Sequence, residues 1–143
     1  MDTHLRVSIF KKGNMPLHFQ GNPFTKPNKY NAIKTVVDGI TFDSKLEANY
    51  YCYLINQKLK FVRQPKVLLS KAEITYRPDF LVYGKSKFYV DVKGSPKIES
   101  PRFRIIKKLW TAYGPAPLEC ITFDKTRGQF YTYEKIPHNL RNN

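Results

Sequence analysis

The chain is 143 residues long, 41% hydrophobic and 15% aromatic, which suffices for one domain with its own core and excludes wholesale disorder. Lys and Arg total 25 against 11 Asp and Glu, a formal net charge of +14, and that surplus points to a polyanionic partner, foremost nucleic acid. There is no apolar run of about 18 residues and no apolar N-terminal stretch, so neither a membrane span nor a signal peptide is expected.

Residues 1 to about 30, with Pro16, Pro23 and Pro27, lack periodicity and read as a basic N-terminal arm. A single folded domain over residues 31–134 and a tail over 135–143 follow. Asp38-Gly39 between the short β-branched runs 34–37 and 40–42 predicts a hairpin. Ser44, with Glu47 three residues on, predicts a capped helix to about Gln57, its apolar face made by Leu46, Tyr50, Tyr53 and Leu54. A strand is expected over 60–69, placed at an edge by Pro65. Strands over 74–83 and 87–93 follow, joined by Gly84-Lys85-Ser86. Ser100-Pro101 opens a second helix with Phe103, Ile106, Leu109, Trp110 and Tyr113 on one face, and Gly114-Pro115 stops it. Further strands are expected over 118–123 and 129–133. The fold class is therefore α/β, a mixed sheet flanked by helices. Cys52 and Cys120 have no metal-ligand spacing and read as buried thiols, with no disulfide and no zinc. His4, His18 and His138 all lie in terminal segments, against a histidine-based site.

The hairpin 74–93 carries the chemistry. A three-residue loop pairs Tyr83 with Lys87, and stepping outward pairs Leu81 with Tyr89 and Asp79 with Asp91. This register puts Phe80, Val82, Phe88, Val90 and Val92 on one continuous apolar face, which a one-residue slip would break. Two carboxylates directly opposite each other, about 4.5–5.5 Å apart at Cβ, repel unless a cation compensates them. Lys93 points to the same side. Two hard oxygen ligands suit Mg²⁺, and a nearby ammonium suits holding a water or offsetting charge on a phosphate. Glu47 has two readings: partner of Ser44 in a capping box, or a carboxylate at the border of the helix face that leans over the sheet towards the metal pair.

Pro78-Asp79, eleven residues, then Asp91-Val92-Lys93 resembles the signature of the PD-(D/E)XK nuclease superfamily, with Glu47 at its upstream acidic position. The order helix, three strands, helix, strand is similar to that family's restriction-endonuclease-like core. The segments Phe42–Glu47, Tyr76–Leu81 and Val90–Gly94 look like those of junction-resolving phage endonuclease I and of small phage Holliday junction resolvases. The resemblance implies a Mg²⁺-dependent endodeoxyribonuclease, with Mn²⁺ able to substitute. It implies metal on Asp79 and Asp91, with Glu47 assisting, and Lys93 acting on the water. It further implies branched DNA as substrate and a homodimer; the two thiols point to a reducing compartment, hence a cytoplasmic setting, that of the host cell if the chain is phage-encoded. Position 91 carries Asp where many members carry Glu. Arg104, Lys107 and Lys108 cluster on one side of the second helix, uninterrupted by acids, with Lys97 and Arg102 just upstream; these five are the expected DNA contacts. The alternatives are a nuclease of the same core cutting linear duplex, or an inert basic nucleic-acid-binding module.

Overall fold

The computed structural model describes residues 20–21 and 33–140. The expected arm lies outside them except for residues 20–21, as do His4, His18 and residues 141–143. Two compact units are present, one holding the residues up to Lys58 with 123–129, the other 59–122 with 130 onward.

In the first unit, β2 (Thr35–Val37) and β3 (Ile40–Phe42) form the expected hairpin, with β1 (Gln20–Gly21) paired to β2. Asp38 and Gly39 take φ of 51° and 75°, the left-handed conformations a two-residue turn of this twist requires and that Asp-Gly tolerates. Helix α1 (Lys45–Asn56) starts where Ser44 caps it, the Ser44 hydroxyl accepting from the Glu47 N–H at 3.0 Å. Its buried residues are Glu47, Ala48, Asn49, Tyr50, Tyr51 and Leu54, so Leu46 and Tyr53, expected on the inner face, are only half-buried. The helix is turned towards Tyr51 because that ring lies 5.1 Å from Phe42 and its hydroxyl donates to Asp38 at 3.4 Å. Cys52 is a free, half-buried thiol.

The second unit is built on a sheet in which β4 (Lys60–Arg63), β7 (Phe80–Tyr83), β8 (Lys87–Val92), β9 (Leu118–Asp124) and β10 (Gln129–Ile136) are ordered β10-β9-β8-β7-β4. β8 and β9 run parallel while β4–β7 and β7–β8 are antiparallel, so the sheet is mixed, as expected of an α/β chain. β4 is an edge strand, and Pro65 follows it directly after Gln64 at φ 45°. The expected strand 60–69 is thus two pieces, the second being β5 (Val67–Leu68). The strand expected over 74–83 is likewise split: β6 (Thr75–Tyr76) pairs with β5, and Pro78, without an N–H to donate, separates it from β7.

Helix α2 (Pro101–Tyr113) begins with the Ser100 hydroxyl accepting from the Phe103 N–H at 3.1 Å. Phe103, Ile106 and Trp110 enter a core with Leu81, Tyr89, Leu118 and Cys120, and Trp110 lies edge-on to Tyr89 at 5.0 Å. The Trp110 indole N–H donates to the Ala116 carbonyl at 2.8 Å. A Cβ on Gly114 would stand 2.5 Å from that indole nitrogen, so the turn needs a residue without a side chain. The turn tucks Ala116 into the core, and Tyr113, expected on the buried face, is exposed. Ile136, two residues into the segment expected as a tail, is buried in the same core.

Candidate metal centre

The β7–β8 register is the one the alternation demands: Tyr83 faces Lys87, Leu81 faces Tyr89, and Phe80 faces Val90. One step further brings Asp79 opposite Asp91. Each carboxylate reaches across to the other strand's backbone. The Val92 N–H donates to Asp79 Oδ2 at 2.7 Å, and the Asp79 N–H approaches Asp91 Oδ1 at 3.4 Å. Asp91 is 2% exposed, and Asp79 is half-buried. A buried carboxylate needs charge-assisted donors. Asp91 Oδ2 accepts from the Tyr76 phenol and is ion-paired with the Lys93 ammonium at 3.5 Å. Part of the compensation that opposed carboxylates require is therefore built into the chain.

Lys93 is fixed from a second side, 4.3 Å above the Phe103 ring, a cation–π arrangement. Its backbone N–H continues the parallel ladder to the Ile121 carbonyl at 2.8 Å, which sets the direction of its side chain. Asp79, Asp91 and Lys93 are thus gathered at the end of β8.

Tyr76 is the residue the sequence pattern missed. Its ring lies 6.3 Å from Phe103 and 6.4 Å, edge-on, from Trp110. Burial, then the charge of Asp91, push its phenol far above the ordinary range, so it remains a donor. Beyond Asp91, its register partner on β9 is Cys120, a free and buried thiol pushed up to about 12 by burial first and the Asp91 charge second. Tyr133 is hydrogen-bonded to that thiol, and burial followed by Cys120 raises its phenol as well.

Among the described residues no three His, Cys, Asp or Glu side chains form a group that could hold an ion. The second unit offers the pair Asp79 and Asp91. A pair fits Mg²⁺, which commonly takes one or two carboxylates and fills its other positions with water and substrate phosphate. Glu47 belongs to the first unit, where its N–H completes the Ser44 cap and its side chain is 4% exposed. It is inside the buried part of α1 rather than at the border of a face.

Of the expected DNA contacts, Lys97, Arg102, Arg104 and Lys108 are exposed. The stripe is not free of acids in space. Lys107 is clasped by Glu99 and by Glu134 of β10, the latter at 2.9 Å, and Arg104 pairs with Glu99 at 3.3 Å. Hydrogen bonds from Lys107, chiefly, hold the Glu99 carboxyl below its usual range, and donating to Glu134 and to Glu99 raises Lys107. Arg102 and Lys108 have no carboxylate partner among the described residues. Arg104, Lys107, Lys108 and Lys135 line an open groove of about 400 Å³ between α2 and β10, with Glu134 in its wall.

No described helix is long and apolar enough to cross a membrane. Residues 27–116, more than half of the chain, match the family described as Protein of unknown function (DUF1064). Neither the curated proteins nor the solved structures hold a match to the chain.

Proposed function

The chain belongs to the DUF1064 family, a family of unknown function, and for it we propose Mg²⁺-dependent hydrolysis of phosphodiester bonds in DNA. The observation that carries the reading is the pair formed by Asp79, just before β7, and Asp91 on β8, the Asp79 N–H 3.4 Å from Asp91 Oδ1, with the Lys93 ammonium 3.5 Å from Asp91 Oδ2. Nothing in packing calls for two carboxylates and a lysine at one strand end, and a passive phosphate binder gains nothing from carboxylates that repel its ligand. The order α1, strands, α2, strand supports a restriction-endonuclease-like core, the finer fold proposed here, in keeping with the resemblance to PD-(D/E)XK nucleases.

Asp79 and Asp91 would hold the ion. It would activate a water and neutralise charge on the scissile phosphate; Mn²⁺ supplies the same chemistry. Lys93 donates to the attacking water and orients it, and its charge offsets that developing on the phosphate oxygens. Water adds to phosphorus and releases a proton to solvent as the phosphorus–oxygen ester bond breaks, and the leaving oxygen takes up a proton from solvent, so that one water is consumed per bond cut. The exposed Arg102 and Lys108 hold flanking phosphates. The resemblance to junction-resolving endonucleases makes branched DNA the proposed substrate. It also makes a homodimer the acting form, since resolving a junction takes two symmetric cuts and each chain carries one such pair.

The test is incubation of the protein and Mg²⁺ with matched four-way junction, flap, linear duplex and single-stranded DNA. Cutting of the junction before the duplex is expected. Equal cutting of duplex would move the substrate to linear DNA, and no cutting of any form would overturn the reading.

A further inference from the structure

We infer that Tyr76 is a positioning residue for Asp91, anchoring Oδ2 so that Oδ1 is the oxygen presented to the metal; this rests on the nuclease reading above and extends it to a residue outside the carboxylate–lysine set. The oxygens of Asp91 are not equivalent. Oδ2 accepts from the Tyr76 phenol and faces the Lys93 ammonium, its ion-pair partner, at 3.5 Å. Among the described residues Oδ1 receives only the long 3.4 Å approach of the Asp79 N–H, which leaves lone-pair capacity on the side of Asp79. A metal shared by the two carboxylates would therefore meet Asp91 through Oδ1.

The phenol can serve as an anchor because its own aim is fixed. Tyr76 sits on β6, held by β5 through the Val67–Tyr76 register pair, and its ring touches Phe103 and Trp110. Trp110 is in turn fixed by its bond to the Ala116 carbonyl. The carboxylate thus inherits its rotamer from the aromatic core under α2. Groups that orient a ligand in this way typically contribute about 10–100-fold in metal affinity or activity. Lys93 alone leaves rotation about the Asp91 carboxyl bond open, since an ammonium makes no directional demand on which oxygen it meets.

The experiment is Mn²⁺ titration, without DNA, of the wild type and Tyr76→Phe, each checked for native near-ultraviolet dichroism. Phenylalanine keeps the ring contacts and removes the donor. The Mn²⁺ dissociation constant is expected to rise about 10–100-fold in the variant. Cleavage that disappears at low Mn²⁺ should return at high Mn²⁺, an effect on metal saturation that a merely structural role would not produce. A folded Tyr76→Phe that binds Mn²⁺ as tightly as wild type overturns the inference and leaves the nuclease reading intact. A wild type that binds no Mn²⁺ overturns both. If Tyr76→Phe does not fold, the wild-type Tyr76 hydroxyl proton decides by magnetic resonance: slow exchange and a shift on adding Mg²⁺ support the anchor, and an unmoved resonance overturns it.

Discussion

Replacing Lys93 by Met removes the charge and keeps most of the side-chain volume over Phe103. The ammonium stands 3.5 Å from Asp91 Oδ2. At an effective dielectric near 20, two unit charges at that distance attract by about 5 kcal/mol. The Lys93 side chain is 32% exposed and Asp91 keeps its phenol donor, so water and Tyr76 recover part of this. The net loss expected for Lys93→Met is about 2–3 kcal/mol, below the roughly 3–5 kcal/mol of breaking a fully buried pair. For a chain of this length that lowers Tm by about 7–10 °C. A divalent ion on Asp79 and Asp91 replaces the missing charge, and at a hundred times its Kd it returns about 2.7 kcal/mol. Thermal melts of both proteins, in chelator and through a Mg²⁺ titration, read this directly. The variant should melt early in chelator and gain more from Mg²⁺ than the wild type does, while cutting no DNA. A variant that melts with the wild type in chelator, or gains no more from Mg²⁺, would refute Lys93 as the counter-charge of the carboxylate pair.

Asp79→Asn should abolish cutting with DNA binding equal or tighter, since the amide oxygen can still accept from the Val92 N–H at 2.7 Å and the fold is kept; normal turnover would remove Asp79 from the site. In salt titrations of binding, Arg102→Ala with Lys108→Ala should flatten log affinity against log salt by about 0.9 for each phosphate no longer neutralised. Arg104→Ala with Lys107→Ala should change it less, because those cations release Glu99 and Glu134 rather than counterions when they meet a phosphate; the reverse order would return the stripe's affinity to the paired residues. Burial, then the Asp38 charge, push Cys52 up to about 11, so at pH 8 its thiolate population is about a hundredfold below that of a free thiol, and native-state alkylation should be slowed accordingly. The folded protein holds this proton longer than the unfolded chain. Its contribution to stability is complete below about pH 9 and is lost as pH rises through about 11, which melts at alkaline pH should show.

Much of the second unit was legible because its signals are local. The alternation of Phe80, Val82 and Val90 admits one register, and extending that register one step past Phe80–Val90 brings Asp79 towards Asp91, where its N–H approaches Oδ1. Ser100 and Pro101 mark a helix start by the needs of its first N–H groups, and Asp38-Gly39 marks a turn by its backbone. Tyr76 was not legible for a reason of parity. In an unbroken strand over 74–83 an even-numbered residue lies on the face opposite Asp79 and Asp91, and only the interruption at Pro78 lets Tyr76 reach Asp91. The pairing of Lys107 with Glu134 escaped in the same way, since the two are far apart in the chain and meet only when β10 lies beside α2. On α1 the apolar pattern favoured Leu46 and Tyr53, but the Phe42–Tyr51 contact turned the helix and carried Glu47 into its buried part.

The most direct measurement is single-turnover cleavage of a labelled four-way junction by the wild type and by Asp91→Asn, in Mg²⁺, in Ca²⁺ and in excess chelator. The account predicts cutting by the wild type in Mg²⁺ alone, junction binding without cutting in Ca²⁺, and binding without cutting by Asp91→Asn in every condition. Cutting that persists in chelator, or in Asp91→Asn, would contradict it.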